Sequence, residues 1–427
     1  MNKNFKIFFI FLNIVVLLYI FYRSEFIHNG ENRLYYLKYY IIFILALSYS
    51  LINYFYFSTI LQYFNIFSLS IIFSLYLFEF YNIYWMKHLK SSSYEKKYKK
   101  KFDTRTNKEV YLDLKNDDVD VIVSVPPYYF LKEKSEIIPL SGHSKINTLY
   151  SNENGYPFRI KSDRYGFNNP NEEWDKKNYE YINLGDSFVY GLAVNRPNDI
   201  SSVLRKISNK PVLNLGVIGT GSLIQLGILK EFSYNKKSKN ILWFYYEEND
   251  LIDLRNELKN SLLQNYLTKP NFKQNLLNKQ SLVDKMIFNK FEKQIIREDS
   301  SEIFKFIKLY NFRKFLNGFF LPAEELEIPK EFSQIVKEFN KFSIEKNSKL
   351  YFIYLPDYFT VKSGIKSKNF FKIKSIVQNE NVTFIDILDN VFLKEKNPLD
   401  LFPFGMAGHY NEEGYSKIAN YVFLNTK

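Results

Sequence analysis

Three apolar stretches occupy most of the first 86 residues: Phe5–Tyr22, Tyr39–Phe57 and Ile66–Met86. Each is near the roughly 20 apolar residues that a helix needs to cross a bilayer. Hardly a charge lies inside them, which argues against three buried helices of a soluble protein. The first stretch could also be an uncleaved signal-like anchor. Its far end, Tyr22-Arg23-Ser24-Glu25, lacks the small-residue pattern of a removable signal peptide. Residues 1–86 are therefore expected to be a membrane anchor whose partner is the lipid bilayer. Glu79, near the end of the third stretch, is expected at the interface or against a neighbouring helix. Lys87, Lys90, Lys96, Lys97, Lys99, Lys100 and Lys101 crowd the exit of that stretch, whereas the Tyr56–Asn65 connection is uncharged. The positive-inside bias then places the large C-terminal part in the cytoplasm and the N-terminus outside.

The chain, at 427 residues, is long enough for one large domain with additions or for two domains. Its formal charge of +13 is spread widely and comes with no nucleic-acid-binding motif, so no nucleic-acid partner is expected. The lack of cysteine excludes disulfides, thiolate catalysis and cysteine-ligated metals. Residues 87–178 read as a charged stalk and linker. Within them Lys87–Lys115 is expected to be helical, Val119–Val125 is strand-like, and Ser162–Pro170 is rich in turn formers. From residue 179 to 427, strand-like runs alternate with helical spacing: Tyr179–Leu184, Pro211–Leu215, Asn240–Tyr246, Lys349–Leu355 and Val382–Ile387. Such alternation predicts a mostly parallel sheet covered by helices. Leu251–Lys346 is too long for a simple crossover and is expected to be a helical insertion, with Leu254–Leu258–Leu262 and Ile303–Phe306–Tyr310 at helix spacing.

Active sites of such sheets lie at the carboxyl ends of the strands. The first end carries Gly185-Asp186-Ser187, the second a glycine-rich turn from Asn214 to Gly221, the third Glu247-Glu248-Asn249-Asp250, and the last Gly408-His409-Tyr410-Asn411. Ser187 could attack a carbonyl carbon, and negative charge would then develop on the carbonyl oxygen. The backbone N–H groups of Ser187 and Gly219 and the Asn249 amide could form the oxyanion hole. His409 suits the base, since His28 and His88 flank apolar stretches and His143 lies in the linker. Asp186 and Asp250 are expected to bind loop N–H groups, and Ser222 to serve a turn or helix cap. No metal-ligand spacing and no phosphate loop occurs, so neither a metal nor another cofactor is expected.

Gly185-Asp186-Ser187, Gly219, Asn249 and His409 resemble, in order and spacing, the four blocks of the SGNH (GDSL-type) hydrolase superfamily. The resemblance covers Tyr179 to Lys427 apart from the insertion. It implies a flavodoxin-like three-layer α/β/α domain with Ser187 as nucleophile, His409 as base, and Gly219 and Asn249 completing the oxyanion hole. Two departures stand out. Glu247 replaces the glycine usual two residues before the asparagine, and Met406 replaces the aspartate usual three residues before the histidine. A triad acid orients the imidazole and stabilises its charged form. It is unassigned here, with a backbone carbonyl, Asp386, Asp389 and Asp400 as the alternatives.

Family members hydrolyse or transfer acyl esters, and membrane-anchored bacterial ones often act on glycans. The resemblance thus implies a multi-pass bacterial inner-membrane esterase or O-acyltransferase, with an acylated (for instance acetylated) glycan or lipid as substrate. It favours a periplasmic site, against the lysine cluster. The alternative expectation is a catalytically inactive SGNH-like protein that binds a glycan or a protein partner.

Overall fold

The three apolar stretches form helices α1 (Lys3–Phe21), α2 (Arg33–Phe55) and α3 (Thr59–Tyr98) in the computed structural model. It describes residues 3–27, 30, 33–56, 59–150, 152–320 and 326–427. His28, Phe57 at the end of the second expected span, and residues 321–325 of the expected insertion lie outside them. The windows Lys6–Phe26, Arg33–Phe55 and Tyr63–Trp85 are long and apolar enough to cross a membrane. Phe11, Leu18, Leu45 and Phe73 are exposed, as side chains facing lipid would be.

Residues 1–82 and 308–313 form one unit. Polar side chains join its helices: Asn13 donates to Ser50 at 3.1 Å, and Tyr49 and Asn53 donate to Asn65 Oδ1 at 2.7 and 3.1 Å. Such bonds hold helices together where no hydrophobic force separates helix from lipid. Glu79 faces a helix end, accepting the backbone N–H groups of Asn311 and Phe312 at 2.9 and 3.0 Å.

Residues 83–307 and 314–427 form the second unit. After the last turns of α3 it carries α4 (Asn107–Asn116), whose Thr106 and Glu109 make a capping box. Three short strands come after it, β1 (Val121–Val123), β2 (Asn147–Leu149) and β3 (Arg159–Lys161), paired in that order. Residues 87–178 are therefore more structured than a stalk and linker. Ile122, Phe130, Leu140, Phe167 and Trp174 join the same core as the strands of the main sheet.

Five further strands, β4 (Asn178–Leu184), β5 (Val212–Asn214), β6 (Lys237–Tyr246), β7 (Lys349–Leu355) and β8 (Thr383–Asp386), form this sheet, which is wholly parallel. Their order, β5-β4-β6-β7-β8, is the flavodoxin-like 2-1-3-4-5 arrangement. The expected fold class is observed. After β4 come α5 (Ser187–Tyr190) and α6 (Ile200–Ser208), and after β5 comes α7 (Ser222–Phe232). β6 is followed by α8 (Asp250–Glu257), α9 (Ser261–Thr268), α10 (Gln280–Ile307), α11 (Tyr310–Phe320) and α12 (Glu331–Glu345). α13 (Tyr358–Ser363) and α14 (Lys368–Asn379) lie after β7, and α15 (Ile387–Asn390) and α16 (Glu412–Thr426) after β8.

Both faces of the sheet are buried, so β6 reads as a continuous apolar run rather than an alternating one. Leu242 and Phe244 pack with Ile200, Leu204, Ile418 and Val422 of α6 and α16. Ile241, Trp243 and Tyr245 face the opposite core, with Leu223, Phe339 and Phe370 of α7, α12 and α14. α12 packs on β7 and serves as its crossover helix, so the added helices of the insertion are α8 to α11.

Candidate active site

A buried strand followed by a tight turn puts Ser187 at the carboxyl edge of the sheet. β4 ends at Leu184, and Asp186 caps the single turn of α5 by accepting the Phe188 N–H at 2.9 Å. Asp250, the residue after Asn249, likewise accepts the Tyr246 N–H at 3.1 Å. Both aspartates are buried and bind backbone N–H groups, not of loops as expected but of the first turn of α5 and the end of β6. Burial pushes both carboxyls upward, and Asp186 adds to the rise at Asp250.

His409 precedes α16, whose first turn is capped by Asn411. Its Nε2 lies 2.7 Å from Ser187 Oγ. Its Nδ1 lies 2.9 and 3.0 Å from the two carboxylate oxygens of Glu153, and its backbone N–H donates to Glu153 at 3.0 Å. Phe188 packs against the imidazole with ring centroids 4.6 Å apart. Burial draws the imidazole pKa down, but the neighbouring Glu153 carboxylate, together with the Asp186 and Glu248 charges, outweighs it, and the net shift is upward.

Glu153 is thus the carboxylate that faces Nδ1 of His409. It lies between β2 and β3, 256 residues before His409, in the segment expected to be linker. The aspartates weighed for that role are engaged elsewhere. Asp386 caps α15 and pairs with Lys366 at 2.6 Å, and Asp389 pairs with the same lysine. Asp400 lies in the short turn Pro398–Leu401. A glutamate in an Asn-Glu-Asn-Gly turn carries no local mark of this role, and only the fold brings it to the histidine.

Gly219 and Asn249 sit beyond β5 and β6, the two neighbours of β4. Gly219 has φ +65°, and a Cβ there would lie 2.7 Å from the Tyr128 ring, so this turn requires glycine. Ser222 begins α7, whose Gly221, Leu223 and Ile224 N–H groups are accepted by buried Glu257. The Asn249 amide donates to Asp253 at 2.9 Å and also bonds Asp186. Burial and the nearby Asp186 charge push the Asp253 carboxyl up to about 6. Glu247, the departure in the third block, accepts the Ser367 hydroxyl at 3.1 Å.

The structure thus joins Ser187, His409 and Glu153 in one hydrogen-bonded chain. It places Gly219 and Asn249 at adjacent strand ends. Such an arrangement can take the proton from a serine hydroxyl and stabilise the imidazolium that results. Among the described residues no cluster of histidine and acidic side chains could hold a metal ion.

No family model matches this chain, and no curated protein matches it. Among solved structures it is similar to a protein described as a lipolytic member of the G-D-S-L family from Desulfitobacterium hafniense DCB-2. The identity is 14% over 58% of this chain and 98% of the other, with a TM-score of 0.27. A likeness of that size carries no weight beside the strand order, on which the fold assignment rests.

Proposed function

We propose that the protein is a membrane-anchored serine esterase or O-acyltransferase that acts on acyl esters, such as acetyl esters, of a glycan or lipid. The observation that carries this reading is the chain Ser187 Oγ–His409 Nε2, His409 Nδ1–Glu153. Ser187 Oγ attacks the ester carbonyl carbon while His409 takes the hydroxyl proton. Glu153 holds the Nδ1–H and offsets the charge of the imidazolium. The Ser187 and Gly219 N–H groups and the Asn249 amide receive the oxyanion. Collapse of the tetrahedral intermediate breaks the carbon–oxygen bond, and His409 returns the proton to the departing alcohol. Water or an acceptor hydroxyl then attacks the acyl-serine, with His409 again as base. Water gives hydrolysis, and a second alcohol gives transfer.

The alternative of an inactive SGNH-like binding protein is motivated by Met406 standing where an aspartate is usual. The Glu153 carboxylate on Nδ1 weakens that motive. The test is labelling of the full-length protein with a fluorophosphonate probe. The reading expects labelling that is lost in Ser187→Ala and His409→Ala. An unlabelled parent protein, beside a labelled control hydrolase, would count against it.

A further inference from the structure

Glu153 reaches His409 from outside the parallel sheet, so its support cannot come from a strand end. The segment after α3 grips its loop. Asn152 Nδ2 donates to the Asp103 carbonyl at 2.7 Å, and the Asp103 N–H donates to the Gly155 carbonyl at 2.9 Å. Tyr94, in the last turns of α3 and only 7% exposed, lies directly over Gly155. A Cβ at position 155 would fall 2.3 Å from that ring, and φ there is +88°, so both contact and backbone demand glycine.

The other side of the Tyr94 ring meets the histidine loop. Tyr94 packs edge-on against Phe404 with centroids 5.9 Å apart, and Tyr98 reaches the same phenyl ring at 6.2 Å. Phe404 belongs to the turn Pro403–Gly405 that leads into His409. One ring therefore touches both the loop that carries the acid and the loop that carries the base. Further along the same segment, Arg105 ties Asp103 to Asp113 of α4.

We propose that Tyr94 is the positioning residue that holds Glu153 on His409, so that the segment following the third apolar span completes the active site. The proposal rests on the hydrolase reading. Tyr94 fixes the separation of two loops that share no strand. Without it the sheet and its motifs persist, but the acid loses its backing. A misplacement near 1 Å at a reacting site costs about 100-fold in rate.

The test uses the full-length protein in micelles with carbon-13-labelled histidine. There are four histidines, so the His409 signal is assigned by His409→Gln. The charged groups that raise its titration are Glu153, Asp186 and Glu248. Tyr94→Ala is expected to lower the titration midpoint in the same direction as Glu153→Gln, to add little in the double variant, and to slow fluorophosphonate labelling about 100-fold. Tyr94→Phe, which keeps the ring, should restore both readouts. Gly155→Ala drives a methyl into the ring from the other side, and serves if Tyr94→Ala does not fold. A folded Tyr94→Ala or Gly155→Ala protein that titrates like the parent overturns the proposal, as does an effect that adds in full to that of Glu153→Gln. A parent protein that is not labelled counts against the hydrolase reading, while the titration still tests Tyr94.

Discussion

The Glu153 carboxylate lies 2.9 Å from Nδ1 of His409, although 256 residues separate the two in the chain. It also accepts the His409 backbone N–H at 3.0 Å, so one side chain fixes both the ring and its loop. A carboxylate in this place favours the Nδ1–H tautomer, which leaves Nε2 free to accept the Ser187 proton.

Replacing Glu153 by glutamine should lower turnover about 10³- to 10⁴-fold, by analogy with loss of the acid in serine triads. The pH profile should move as well. His409 must be neutral to act as base, so activity rises with pH through its pKa. Glu153 holds that pKa up against burial. In Glu153→Gln burial is opposed only by Asp186 and Glu248, and the acidic limb should shift to lower pH. A pH–rate profile checks this, and an unmoved limb would remove Glu153 from the role.

Asp253 sets a second pH dependence. Its carboxyl, pushed up to about 6, accepts the Asn249 amide that is proposed to face the oxyanion. Above pH 6 its negative charge opposes the developing oxyanion. Asp253→Asn should therefore raise the rate above pH 6 and change it little below. Stability has the same sign: the unfolded chain ionises this group near 3.8, while the folded protein holds the proton to about 6. The parent thus loses stability as pH rises through that window, and Asp253→Asn should lose less, the remainder coming from other buried carboxyls such as Glu257. Thermal melts at pH 5 and pH 8 compare the two.

Trp243 is fully buried, stacks on Phe339 at 4.0 Å, and donates its indole N–H to Gln225 at 2.7 Å. Trp243→Ala should cost about 3–5 kcal/mol by opening a cavity, and would leave the Gln225 oxygen without this donor. Denaturant unfolding should register the loss. A change below about 1 kcal/mol would mean that the β6–α12 packing is not as described.

The side of the membrane is open to a direct readout, because the chain has no cysteine. Glu172, exposed in the second unit, is a suitable position for a single cysteine. The glycan reading expects Glu172→Cys to react with an impermeant maleimide on intact cells. Reaction only after lysis would agree with the lysine cluster after the third span and would exclude a surface glycan as substrate.

The sheet is legible in the sequence because most of its strands run apolar on both faces toward their carboxyl ends, where a marked turn follows. Tyr179–Leu184 and Lys349–Leu355 each fall within one residue of the observed strands. The same logic singles out Ser187, Gly219, Asn249 and His409 as candidates, since each comes after a strand end. Glu153 escapes it. The residue sits in a polar turn between two three-residue strands, and its meaning comes from its hydrogen bonds to His409, a partner 256 residues away, rather than from local pattern. The segment 87–178 is misread for a related reason. Its strands are too short to show a period, and many of its apolar residues find their partners in the distant core.

The most direct measurement of the central claim is trapping the acyl-enzyme. The full-length protein is mixed with p-nitrophenyl acetate and quenched in acid, and its peptides are read by mass spectrometry. The account predicts acetyl on the Ser187 peptide of the parent protein, a far slower build-up in Glu153→Gln, and none on that peptide in Ser187→Ala. Acetylation that ignores Ser187, or that proceeds at the parent rate in Glu153→Gln, would contradict it.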